Sequence, residues 1–79
     1  MEITSENAAW ATTLIAAAVE RTYGGVMVEA AVHRESSLCS FKVAGHPPLL
    51  LHWAIINRLG RADTVASYVA ASMRLPLDE

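Results

Sequence analysis

Three histidines and a single cysteine are the residues of this 79-residue chain with metal-binding chemistry. Cys39, His46 and His52, with His33 as a fourth donor, form a set of the kind that holds zinc. Closed zinc sites, however, pair their ligands roughly two to five residues apart, and these spacings match no such pattern. His46 falls in a loop and His52 in an apolar stretch, so both read as structural and no metal is expected. Nucleophilic catalysis needs a base beside the nucleophile and a group that orients the base. Ser36 and Ser37 lie close to His33 and Glu35, but in a polar turn open to water, where turn chemistry favours such residues anyway. Glu20 and Glu29 show no pairing suited to acid–base work, and Gly24-Gly25 lacks the flanking glycines and lysine of a phosphate loop. Cys39 has only Lys42 nearby to activate it and reads as a small buried apolar residue. A non-enzymatic chain with no catalytic residue and no cofactor is the expectation.

Charge and length narrow the classes further. Six Lys and Arg against eight Asp and Glu give a formal charge of −2, with no run of either sign. Partners rich in phosphate, such as nucleic acid or an anionic membrane, call for a basic face that this composition does not supply. No basic segment precedes an apolar one near the N-terminus, and the apolar run at 49–56 is far below the ~20 residues of a membrane span. A cytoplasmic location is therefore expected. One domain fits this length, and a domain this small buries only roughly 60–65% of the surface its unfolded chain exposes. With one cysteine there is no intrachain disulfide to help, which leaves oligomerisation.

Any functional surface has to be positioned by the elements that the hydrophobic pattern defines. Thr4 and Ser5 before Glu6 open a helix over about 5–23, closed by Gly24 in a left-handed cap. Trp10, Leu14, Ala17 and Ala18 form one apolar stripe on it, and Ala8, Ala11, Ile15 and Val19 form another beside it. The period then shortens from 3.6 to 2, giving strands over about 26–33 and 38–44 around the turn Arg34–Ser37, which together make an antiparallel hairpin. Glu29 and Lys42 both belong to its wetter faces and can oppose each other across it, in a register that the pattern leaves open. Pro47 and Pro48 suit the first turn of a helix over 48–59. A further helix over 62–74, capped by Asp63 and stopped at Leu75-Pro76, follows a break near Gly60. One continuous helix over 48–74 is the alternative, because Leu51, Ile55, Leu59, Ala62, Ala66, Val69 and Met73 keep an unbroken stripe.

The fold class is thus α+β, ordered α-β-β-α(-α), with a hairpin covered by helices. The stretch Leu49–Leu59 carries the case for assembly. As a helix, its polar residues His52, Asn57 and Arg58 share no face, so it is apolar nearly all round and calls for burial on several sides. Homodimerisation, through the hairpin edges to a four-stranded sheet or through this helix, satisfies that need. Trp10, Trp53 and Tyr68 are of types most often found in a core, yet Trp and Tyr also dominate interface hot spots. The expected contact residues are Trp53, Ile56, Leu49 and Leu50, with Glu29, Arg34 and Glu35 as a polar recognition surface around the hairpin.

Ile55-Ile56-Asn57-Arg58-Leu59-Gly60 followed by Thr64-Val65-Ala66-Ser67-Tyr68-Val69 resembles the helix-turn-helix of bacterial regulators, with a turn one residue shorter. That resemblance implies a DNA-binding unit over residues 51–74, with Arg58, Arg61 and Arg74 on phosphates. The second helix, Asp63 to Ser72, has no Arg, Lys, Asn or Gln to read base edges. Protein recognition by occlusion or scaffolding is accordingly the leading expectation and DNA regulation the alternative. Small size and acidity also invite a class-level analogy with phage and mobile-element inhibitors, anti-CRISPR proteins among them.

Overall fold

The computed structural model describes residues 2–23 and 26–75, so the expected Gly24 cap and Pro76 stop lie outside the described residues. Helix α1 spans Ala8–Thr22. It is preceded by a turn in which the Thr4 N–H donates to Asn7 Oδ1 at 2.7 Å and the Asn7 N–H donates to Thr4 Oγ1 at 3.3 Å. This reciprocal exchange does the work of a capping box and starts the helix proper later than residue 5. The second of the two apolar stripes faces inward: Ala8, Ala11, Ile15 and Val19 are buried, joined by Thr12. The first is split: Trp10 is 62% exposed and Ala17 exposed, Leu14 is half-buried, and Ala18 turns into the core.

Strands β1 (Val28–His33) and β2 (Leu38–Val43) form the expected antiparallel hairpin, and Glu29 does stand opposite Lys42. A single 3-10 turn over Arg34–Ser36 joins them, and Ser37 reverses the chain at φ 55°. Arg34 Nε donates to the Ser5 carbonyl at 3.1 Å, tying this turn to the entry of α1.

The helix expected over 48–59 does not begin at 48. Residues Leu49–His52 form a third strand, β3, antiparallel to β2, with Leu51 beside Cys39 and Leu49 beside Phe41. The reason is local and tertiary at once. Proline disfavours helical geometry in the residue before it, so the Pro47-Pro48 pair delivers an extended chain. An extended Leu49-Leu50-Leu51 can then fill the core from alternate positions. Leu51 is buried and Leu49 packs against the core, while Leu50 and His52 turn to the opposite face. An all-round apolar helix is therefore absent, and with it the need for a partner that such a helix implied. The sheet, ordered β1-β2-β3, already has three strands within one chain.

Helix α2 (Trp53–Leu59) is capped by His52, whose Nδ1 accepts from the Ala54 N–H at 3.0 Å. Its last turn closes on Gly60 at φ +80°, which donates to the Ile56 carbonyl. That left-handed residue makes the break expected near Gly60, and α3 (Ala62–Met73) follows as a separate helix. Ile3 is tethered beneath this corner, its N–H held by Asn57 Oδ1 at 2.6 Å. The core lies between the helices and one sheet face, with Phe41, Leu51, Ile15, Val19, Ile56, Val65 and Val69 at its centre. The architecture is an α+β fold of order α-β-β-β-α-α.

Candidate functional site

Strand alternation sorts the sheet residues onto two faces. One face holds Val28, Ala30 and Val32 on β1, Cys39, Phe41 and Val43 on β2, and Leu49 and Leu51 on β3, and every β2 residue of this set is buried. Among the described residues, helices cover only this side. The other face holds Glu29, Ala31 and His33, then Leu38, Ser40 and Lys42, then Leu50 and His52, all of them exposed or half-buried. Register arranges these residues in rows across the sheet. His33, Leu38 and His52 form one row, Ala31, Ser40 and Leu50 the next, and Glu29 with Lys42 a third. The central row is thus small or apolar, with the Ser40 hydroxyl at its middle, two imidazoles at one end and opposite charges at the other.

Leu50 is 56% exposed on this face, and Met27, just before β1, is 83% exposed. Met27, Glu29, Lys42, Ala44 and Gly45 also line a shallow cleft of about 550 Å³ at the charged end. Large apolar side chains left in water next to a sheet with no cover on that side make a patch suited to contact. No family model, no curated protein and no solved structure matches this chain. Its own geometry carries the functional argument.

The residues expected at an interface do not come together. Ile56 is completely buried in the core, so it contacts no partner; a helix reading put it on a shared face that the real chain path removes. Leu49 and Trp53 pack against the same core, and Trp53 Nε1 is buried without a hydrogen-bond partner among the described residues. Only Leu50 and Glu29 reach the helix-free face, while Arg34 and Glu35 sit exposed on the 3-10 turn at its His33 end. Trp10 and Tyr68, expected among core types, are 62% and 41% exposed on the helical side.

The candidate chemical groups are also dispersed. Cys39 is buried, with Thr12 Oγ1 at 3.1 Å from its sulfur, and that hydroxyl donates to the Ala8 carbonyl at 2.6 Å. His33 Nε2 lies 3.3 Å from Ser40 Oγ, not beside Ser36 or Ser37, in an exposed position on the sheet. Among the described residues no three His, Cys, Asp or Glu side chains gather in a way that could hold a metal ion. None of the described helices is long and apolar enough to cross a membrane.

The arginines of the helix-turn-helix resemblance are all exposed, but Arg61 precedes α3 and Arg74 follows it. A helix of that length holds them roughly 18 Å apart along its axis. Between them the exposed residues of α3 are Asp63, Thr64, Ser67, Tyr68, Ala71 and Ser72. Sequence reasoning missed Leu38, Ser40, Lys42 and Met27 as one surface with Leu50. The alternation of Ser40 and Lys42 was visible, but without β3 nothing showed that Leu50 joined them.

Proposed function

We propose that this chain is a protein-recognition module whose working surface is the helix-free face of its sheet. The observation that carries the reading is that, among the described residues, all cover lies on one side, leaving Leu50 exposed on the β3 side of the other. Antiparallel sheets do solvate one face, but that face is ordinarily polar. Here the Ala31–Ser40–Leu50 row and Leu38 are small or apolar, ringed by Glu29, Lys42, His33 and His52. A row of small and apolar residues flanked at both ends by polar and charge-balanced groups suits a protein–protein contact. It fits a folded partner better than a polyanion, because Glu29 offsets Lys42. The mechanism is occlusion or scaffolding, in keeping with the class-level analogy to small inhibitors.

Leu50→Arg places a charge on the most exposed large apolar position of the face without entering the core. Affinity capture from the source cells with wild type, Leu50→Arg and the helix-side variant Trp10→Ser tests the reading. The expected result is a partner protein held by wild type and Trp10→Ser and lost, by at least tenfold, with Leu50→Arg. Retention by Leu50→Arg overturns it. So does salt-sensitive DNA binding that requires Arg58 and Arg61, the behaviour expected of a nucleic-acid regulator.

A further inference from the structure

Backbone parity fixes what the outer edge of β1 offers. The Trp53 N–H donates to the Ser37 carbonyl at 2.9 Å. With the β2–β3 register this turns the odd residues of β2 toward β3, and so its even residues toward β1. On β1, Glu29, Ala31 and His33 therefore bond to β2, while Val28, Ala30 and Val32 direct their N–H and C=O groups to the free edge. Val28 is already engaged, its N–H held by a Glu20 carboxylate oxygen at 2.8 Å. Ala30 and Val32 remain, in a strand with no proline and no bulge. Such an edge is a template for another strand.

Charge pattern and register together select the occupant. We propose that β1 pairs antiparallel with β1 of a second copy, Ala31 lying opposite its own counterpart on the two-fold axis. Only residues that both face the edge can exchange hydrogen bonds, which restricts the registers to a few. Setting Ala30 opposite Ala30 would draw Val28 into the ladder and displace Glu20. Setting Val32 opposite Val32 would match Ala30 with Arg34, which is already in the 3-10 turn. Setting Ala31 opposite Ala31 pairs Ala30 with Val32 on both sides of the axis and leaves the Glu20 bond intact. The same register brings Glu29 opposite the partner's His33, twice, at the non-hydrogen-bonded sites where side chains lie closest. A carboxylate facing an imidazole is a favourable pair, and the two-fold makes it self-complementary.

The helical layer agrees with this arrangement. Ala9, Thr13, Ala16 and Glu20 recur along one flank of α1, and the Glu20–Val28 bond places that flank over the β1 edge. Apart from Glu20 these side chains are small, so the α1 helices of two copies can approach across the axis. Ala30 is exposed and Val32 only half-buried although both lie on the helix-covered face, and this second helix would cover them. The product is one continuous sheet of six strands, with a helix-free face of double area. This dimer uses the edge opposite Leu50; its register shares Glu29, Ala31 and His33 with the recognition face, but oligomeric state and partner capture through Leu50 are read independently, so either can fail alone.

Two variants test it, read by light scattering and sedimentation across a dilution series and by circular dichroism. Wild type is expected to be a dimer. Ala31→Lys brings two ammonium groups together on the axis at an exposed site, and is expected to yield a folded monomer. Ala31→Cys in a Cys39→Ser background is expected to cross-link fully under mild oxidation, since a non-hydrogen-bonded cross-strand pair sits within disulfide reach. A monomeric wild type at the highest concentration overturns the proposal. A dimer that Ala31→Cys fails to cross-link, or that Ala31→Lys leaves intact, overturns this edge and register.

Discussion

Single residues in this chain are judged by which side of the sheet they occupy. Ile56 lies at the centre of the core with no exposed surface, and Leu50, six positions earlier, stands in water on the far face. Both are aliphatic, and their substitution by a charged residue has opposite outcomes. Ile56→Asp removes a buried side chain and buries a carboxylate with no partner, a combination that costs more than about 4 kcal/mol. Small domains hold only about 5–15 kcal/mol in total, and one this size sits low in that range. The expected result is an unfolded chain, seen as loss of the helical circular-dichroism signal and of cooperative melting. Leu50→Arg is expected to leave that signal intact. An Ile56→Asp variant that melts like wild type would refute the placement of this residue.

Among the elements, the α2–α3 corner and the end of α3 rest on two left-handed residues. Gly60 adopts φ +80° and Arg74 φ +57°. Glycine is at ease there, whereas a side chain meets its own backbone at a cost of roughly 1 kcal/mol. A Cβ at Gly60 would meet nothing closer than the Asn57 carbonyl oxygen at 4.0 Å, so conformation, not space, sets the penalty. Gly60→Ala is thus expected to destabilise by about 1 kcal/mol, and Arg74→Gly to stabilise by about 0.5–1 kcal/mol. Urea denaturation read by Trp fluorescence checks both. Shifts in midpoint of opposite sign, with unchanged slope, are the expected signature. The end of α3 also has a bearing on the DNA alternative. Arg74→Gly deletes one of its three phosphate contacts while strengthening the fold, so weakened DNA binding in this variant could not be blamed on unfolding.

At the scale of the whole molecule, helices on one side and bare sheet on the other make the fold asymmetric. The bare face supports the recognition reading, and the open β1 edge supports self-pairing. For a dimer, folding is linked to association, so stability depends on protein concentration. Each tenfold rise in concentration is expected to raise the apparent stability of wild type by about 1.4 kcal/mol per mole of dimer. The Ala31→Lys variant is expected to show no such dependence. Thermal melts at several concentrations distinguish the two.

Local patterning determined much of this architecture by itself. The switch in period from 3.6 to 2 marks α1 and the hairpin, because a helix and a strand expose apolar residues at different repeats. The polar turn Arg34–Ser37 marked where the hairpin reverses, while the register that sets Glu29 opposite Lys42 was left open until the strands paired. Gly60 signalled the corner, since a glycine at the end of an apolar stripe accommodates a left-handed cap. Tertiary structure alone decided the state of Leu49–His52. Three consecutive leucines carry no period, and leucine favours helices, so nothing local distinguishes a buried strand from the start of α2. Adding a strand beside β2 satisfies backbone groups of Phe41 and Cys39 and buries Leu51, a gain that exists only once the hairpin is in place. The candidate site shared that fate. Leu50 became part of a surface with Ser40 and Ala31 only through β3 pairing, and Ile56 left the expected interface for the core by the same change of path.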